Sequence, residues 1–457
     1  MILRFSRCVF LLCAVAIASP SQVFTTLVDF NVTNGVNPSA SLVEGIDAQL
    51  YGTTPNGGTP APAGGTIFRM SPQGSFTSLL SLTNPDGVFP GAALLLAPNR
   101  LLYGTASAGG ANGEGTVFQI TPDGTLTLLH TFDSTDGAWP NGLVQAFNGM
   151  LYGTTNQGGT YNDGTIFKMS PGGALTTVHN FAGSDGAFPG PPVQASNGLL
   201  YGTTGSGGAY GGGTIYTVSL GGAFATLYNF GGATSADGGE PEGALTQGND
   251  GSFYGTTWWG GASSSAGTVF KITPAGTLTT LYRFDGTDGD NPVGALVQGT
   301  DGNFYGTTYM GGLGGWGTIF RITPTGTLTF LHSFEYTDSY GPHCGLVQHT
   351  NGSFYGTTLY GGSNRAGTVY GLSVGLRTFV KTLPAFGRAG STVTILGASL
   401  KGATITGVTF NGTAAAFTNL GPRGLTATVP AGATTGTVQV TTPSGTLSSN
   451  TAYQVLP

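Results

Sequence analysis

Charge is what this chain has least of: 7 % of its 457 residues are Asp, Glu, Lys or Arg, where about 25 % is usual for a soluble domain. So little charge argues against disorder driven by self-repulsion. The formal charge of −6, from 14 basic against 20 acidic residues, offers no electrostatic footprint for nucleic acid or an anionic lipid surface. Cysteine is almost absent too. Cys8 and Cys13 lie in a leader expected to be removed, which leaves Cys344 and no intramolecular disulfide. Long apolar runs are missing, since no segment approaches the roughly 20 consecutive apolar residues of a transmembrane helix. The run from Cys8 to Ala18 follows Arg4 and Arg7 and contains the small-x-small triplet Ala16-Ile17-Ala18. That is the layout of a secretory signal peptide over residues 1–18, so the mature chain is expected to be secreted, or held at the cell surface or in the periplasm.

Glycine is what the chain has in excess, at 82 residues, and it marks a repeat. Tyr-Gly-Thr recurs at Tyr51, Tyr103, Tyr152, Tyr201, Tyr254, Tyr305 and Tyr355, each copy inside a similar stretch of roughly fifty residues, a period that means an array. The sixth copy sets out the unit. Gly294 to Gln298 reads as a first strand, Asp301-Gly302 as a hairpin turn, Phe304 to Thr308 as a second strand, and Gly317 to Ile322 as a third, rich in β-branched and aromatic residues. Pro324-Thr325-Gly326 turns the chain into a fourth strand, Thr327 to Phe334. Four short strands per unit, seven times over, predict an all-β chain with a seven-bladed β-propeller. Phe68, Phe118, Phe167, Tyr216, Phe270, Phe320 and Tyr370 in strand three, and Phe132, Phe181, Phe230, Phe284 and Phe334 ending strand four, are the expected inter-blade core.

The seventh copy lacks a fourth strand, and an orphan of matching pattern stands at the other end: Val23 to Phe30 resembles Leu328 to Phe334. The N-terminal strand is therefore expected to complete the last blade and fasten the ring. The propeller is assigned to residues 19–374. Beyond it the repeat stops, and residues 375–457 show short strands at the spacing of a small Ig-like β-sandwich: Thr392 to Leu396, Ile405 to Phe410, Leu425 to Val429, Thr437 to Thr441 and Ala452 to Val455. Gly-Ser-Thr-Val-Thr-Ile-Leu-Gly (390–397), Val-Thr-Phe-Asn-Gly-Thr (408–413) and Val-Pro-Ala-Gly-Ala-Thr-Thr-Gly (429–436) resemble the IPT/TIG family. The order Asp-Gly-x-x-Pro, Leu-Tyr-Gly-Thr-Thr, Gly-Gly, Gly-Thr-Val-Phe-Lys-Ile-Thr-Pro-x-Gly-Thr is similar to the tandem-repeat family called GloVer, over residues 21 to about 373. That resemblance implies a secreted or surface bacterial protein, and no activity.

Function must then come from unlike residues on like loops. The loops between blades, and those joining strands two and three, are expected on one face. After Tyr-Gly-Thr-Thr the last three full loops carry Trp258-Trp259, Tyr309-Met310 and Leu359-Tyr360, while Phe89, Trp139 and Phe188 precede a proline between blades. Exposed rings amid scarce charge suit stacking on sugars or on apolar side chains of a partner, so Trp258, Trp259, Tyr309, Tyr360 and Trp139 are the candidate ligand-binding residues. Glu240, Glu242 and Asp290 lie in adjacent inter-blade loops and are the best candidates for paired carboxylates of a glycosidase. Asp86, Asp136, Asp185, Asp237, Asp288 and Asp338, with Asn34 in the first copy, read as turn caps rather than calcium ligands, because one acid per blade makes no cluster. His130, His179 and His332 occupy a position held by Leu or Tyr in other copies and read as packing. His343-Cys344 has no second ligand pair at metal spacing, so no metal or cofactor is expected. Gly312-x-Gly314-x-x-Gly317 joins two strands and opens no helix, which removes a dinucleotide reading. Two functions remain open: an exported binding or adhesion protein for a glycan or surface protein, or an extracellular polysaccharide hydrolase or lyase. Oligomeric state is not written in the sequence.

Overall fold

The computed structural model describes residues 22–60, 63–232, 236–261, 265–336, 339–400, 402–419 and 424–457. The expected signal peptide and Asp338 lie outside them. Among the described residues, each Tyr-Gly-Thr copy sits in an antiparallel sheet built of an inner, second, third and outer strand, and there are seven such sheets arranged as the blades of a β-propeller. In the sixth these are Val297–Gln298, Phe304–Thr308, Thr318–Ile322 and Leu328–Ser333. The inner strand is shorter than its apolar run. A Cβ on Gly294 would lie 2.5 Å from the carbonyl carbon of Cys344 in the next blade, so the backbones there crowd one another about the axis instead of extending the ladder.

The repeated motif has a physical reason at each position. Its tyrosine is buried and its hydroxyl meets the turn four residues earlier: Tyr254 donates to Asp250 at 2.8 Å, and Asn99 donates to Tyr103 at 2.8 Å. Its glycine makes room for the strand-three ring, because a Cβ on Gly255 would stand 2.5 Å from Phe270 Cζ. The last threonine caps the strand. Thr257 Oγ1 donates to the Trp259 carbonyl at 3.1 Å, accepts the Thr268 N–H at 3.1 Å and lies 2.9 Å from the Thr268 hydroxyl.

Blades lock to one another by rings. The residue after each outer strand, Leu82 in the first blade and phenylalanine in the others, packs on strand three of the next blade, as Phe230 on Phe270 at 5.3 Å and Phe284 on Phe320 at 5.3 Å. The expected closure is present. Val23–Asp29 pairs antiparallel with Thr368–Ser373 as the outer strand of the seventh blade, and Phe30 then packs on Phe68 of the first blade at 5.4 Å. The N-terminal strand thus makes both the ladder and the inter-blade contact that the other outer strands make.

The C-terminal strands form two further four-stranded sheets. One has Lys381–Leu383, Thr392–Leu396, Leu425–Thr428 and Phe417–Asn419; the other has Thr413–Ala414, Gly407–Phe410, Val438–Thr442 and Gly445–Ser448. Val393, Ile395, Val408, Phe410, Val438, Val440 and Tyr453 fill the space between them. This sandwich is seated on the propeller face that carries the turns between the first and second strands.

The seat is shaped by a ring of amides. Gln194, Gln247, Gln298 and Gln348 each accept the N–H of a turn residue in the preceding blade, at 2.7, 2.9, 3.0 and 3.2 Å, and Glu44 accepts the Thr350 N–H at 3.1 Å in the same way. The second blade breaks the ring, having Leu96 at the acceptor position and Pro98, which has no N–H, at the donor position. Leu383 and Leu396 of the sandwich pack with Leu96 at that break. Beside it, Lys381 pairs with buried Glu44 at 3.0 Å and Thr350 Oγ1 accepts the Ala398 N–H at 2.7 Å.

Candidate binding face

The opposite face carries the loops between blades and those between strands two and three. The two kinds of loop meet by single bridges, Val88 with Ala108, Gly239 with Trp259 and Asp290 with Met310. Seven equivalent residues ring this face, each immediately before a proline: Asn37, Phe89, Trp139, Phe188, Glu240, Asn291 and Gly341, with φ of 58°, 59°, 57°, 54°, 54°, 54° and 66°. Only the last is glycine. For the other six the left-handed conformation is strained, at about 1–3 kcal/mol each.

Two contacts hold every one of them there. Each N–H donates to a carbonyl of the preceding blade, at distances from 2.7 Å for Asn37 to Ala366 up to 3.2 Å for Phe188 to Asp163. The proline that follows is pinned against a glycine of the preceding blade, where a Cβ on Gly115 would lie 2.5 Å from Pro140 Cδ and one on Gly367 2.6 Å from Pro38 Cδ. The consequence is a rim of side chains turned out of the sheet plane. Phe89, Trp139 and Phe188 are 45 %, 46 % and 46 % exposed, on three successive blades.

Blades five to seven carry a second group of rings. Trp258 lies 5.9 Å from Tyr309, and Tyr309 meets the His343 ring edge-on at 5.6 Å. Desolvation, and then the neighbouring Tyr360, push the Tyr309 pKa up. Tyr360 stacks on Tyr340 at 5.3 Å, and Tyr340 continues to Tyr336 at 5.1 Å and Trp316 at 4.9 Å. Gly341 is what lets them close: a Cβ there would lie 3.0 Å from Tyr309 and 3.4 Å from Tyr360. Of the residues singled out from sequence, Trp258, Tyr309 and Tyr360 thus fall in one chain of contacts. Trp259 is turned aside, its indole lying half-buried against Gly239. Trp139 stands on the third blade with Phe89 and Phe188 to either side in the rim.

The acids do not converge on a clear pair. Glu240 is the rim residue of the fifth blade. Glu242, two residues on and an exposed residue, is raised in pKa by desolvation and then by the Glu240 charge. Asp290 is raised by desolvation against the pull of the Asn291 N–H. His343 is lowered by burial, and Cys344 is buried with its thiol pushed up and its Sγ 3.1 Å from Thr357 Oγ1. Among the described residues no three His, Cys, Asp or Glu side chains gather as metal ligands. One sequence reading needs correction. His130 and His179 are more than packing: their Nε2 atoms lie 2.7 and 2.9 Å from Asp136 and Asp185, and Tyr228 donates to Asp237 at 2.7 Å from the same strand position. The same Asp136 and Asp185 carboxylates accept the N–H groups of Asp133 and Ala182, as turn caps do.

The left-handed rim was missed from sequence as a feature. Its signal was there, in one residue before a proline in every copy, and only the inter-blade hydrogen bond reveals the φ.

The profile of the Gloeobacter/Verrucomicrobia repeat matches residues 14–193 and 188–420. Among solved structures, a streptogramin B lyase superimposes with a TM-score of 0.53 at 18% identity, covering 77% of this chain and 97% of that one. Virginiamycin B lyase from Staphylococcus aureus gives 0.54 at 16% identity, covering 77% and 99%. At such identities the likeness is one of fold. No curated protein matches the chain.

Proposed function

The chain belongs to the Gloeobacter/Verrucomicrobia repeat family, and from that premise we propose that it is an exported binding or adhesion protein whose loop face recognises a glycan or a surface protein. In this reading residues 1–18 are a signal peptide, 19–374 the propeller, and 375–457 an IPT/TIG-like module of Ig type that serves as spacer. The observation that carries it is the left-handed rim. Six strained residues are maintained at one position around the ring, and three of them are Phe89, Trp139 and Phe188, held about half exposed. The inter-blade contacts fix the backbone but do not require a large ring there, since Gly341 takes the same conformation, so three bulky rings kept half-exposed at strained positions point to use of those side chains. Flat, half-exposed rings suit sugar faces or apolar groups of a partner.

Trp258, Tyr309 and Tyr360 extend the same surface. A glycan array probed with the mature protein, with a product assay on every hit, tests the proposal. Binding without turnover, weakened at least about tenfold by Trp139→Ala or by Trp258→Ala with Tyr360→Ala, is the expected result. Equal binding by these variants would remove the face from the function. A second reading, a polysaccharide hydrolase or lyase, is favoured by the raised Glu242 carboxyl beside Glu240. Turnover abolished by Glu242→Gln would establish it instead.

A further inference from the structure

A cavity of about 600 Å³ lies on the other side of the molecule, between the propeller and the C-terminal sandwich. The propeller lines it with Leu95, Val144, Phe147 and Leu245, and the sandwich closes it with Pro384 and Phe386. Phe147 and Phe386 meet across the seam at 4.6 Å. The volume is that of a small-molecule site.

Its chemistry is unusually one-sided, since every side chain lining it is uncharged. An ionised ligand would lose hydration there without a counter-charge, at a cost of several kcal/mol. Three of the amides in the wall are bonded to the propeller turns. Gln145 donates to the Gly149 carbonyl, Gln194 donates to Gly198 and accepts from Phe147 N, and Gln247 donates to Gly251 and accepts from Ser196 N.

We propose that this cavity is a binding site for a neutral, mostly hydrocarbon molecule. The site exists only where the sandwich is docked, so its ligand bridges the two parts of the chain. It is independent of the loop face and stands or falls without it.

Nile red, an uncharged solvatochromic dye, is the probe. It should bind the full mature chain at one site with blue-shifted emission, and 1-decanol should displace it at least about tenfold better than decanoate at pH 8. Ala452 lines the cavity from an exposed position, so Ala452→Trp should fill the space without disturbing the core and cut dye affinity at least about tenfold. The proposal is overturned if the dye does not bind, if Ala452→Trp with parental melting binds it as the parent does, or if decanoate competes as well as decanol.

Discussion

At the scale of single residues, the chain treats glycine and its opposites as separate tools. Gly255 is required by a neighbour: a methyl there would stand 2.5 Å from Phe270 Cζ. Trp139 is the reverse case, a bulky residue in a conformation glycine would take for free, at φ 57°. Trp139→Gly should therefore change stability by less than about 1 kcal/mol, since relief of left-handed strain offsets the greater freedom of glycine in the unfolded chain. Gly255→Ala should cost about 1–3 kcal/mol. Thermal melts of the two variants test the pair. A large loss for Trp139→Gly would mean that the indole is structural, and would remove the argument that strain is maintained for binding.

At the scale of elements, the N-terminal strand matters beyond its length. Val23–Asp29 completes one blade, and Phe30 then joins that blade to the first. Phe24 adds a stack on His332 of the sixth blade at 3.8 Å. Deleting Val23 to Phe30 should lower the melting of the whole propeller in one cooperative step, because each blade buries its faces only against neighbours. An unchanged melting transition would sink the idea. The sandwich has its own core about Val393, Val408 and Val440. Residues 376–457 expressed alone should give a cooperative β-type unfolding curve, with Leu383, Leu396 and Phe386 left uncovered. A disordered fragment would show that the seat on the propeller is needed for folding.

At the scale of the molecule, three remote stretches meet at Glu44. Its carboxylate faces Lys381 of the sandwich, and His349 and Thr350 of the seventh blade. Burial raises the Glu44 pKa, but Lys381, His349 and the Thr350 hydroxyl outweigh it and hold the group below its ordinary 4.5. His349 is lowered from 6.5 by desolvation, against the Glu44 charge. Its Nδ1 accepts the Asn351 N–H at 3.0 Å, which leaves the proton on Nε2, facing the Ala48 carbonyl at 3.2 Å. Both shifts are downward, so both have the same sign: the unfolded chain takes up the proton first. The His349 contribution is present above pH 6.5 and fades below it. That of Glu44 is present above 4.5 and is lost as pH falls through its lower folded value. Stability should decline from neutral pH into acid. Glu44→Gln should lose about 2–3 kcal/mol at pH 7 and show a shallower decline, and melting of parent and variant between pH 7 and pH 4 measures both. Parallel curves would place the acid sensitivity elsewhere.

What sequence alone determined here is whatever repeats. Tyr-Gly-Thr-Thr, Asn/Asp-Gly and Pro-x-Gly set strands and turns through local rules of φ, hydrogen bonding and ring size, and a copy missing from one end and present at the other determined how the ring closes. The inner-blade phenylalanines and the Val23 strand were legible for that reason. Tertiary structure decided what does not repeat. Whether Trp258 or Trp259 joins the aromatic surface depends on which side chain Gly239 of another loop receives. The left-handed rim depends on carbonyls of the preceding blade, 25 to 28 residues away or, at Asn37 and Ala366, at the far end of the chain. The socket at Leu96 and Pro98 is two ordinary residues in sequence. It becomes a docking site only because the amide ring around it is otherwise continuous, and continuity around a closed ring is a property no single repeat contains.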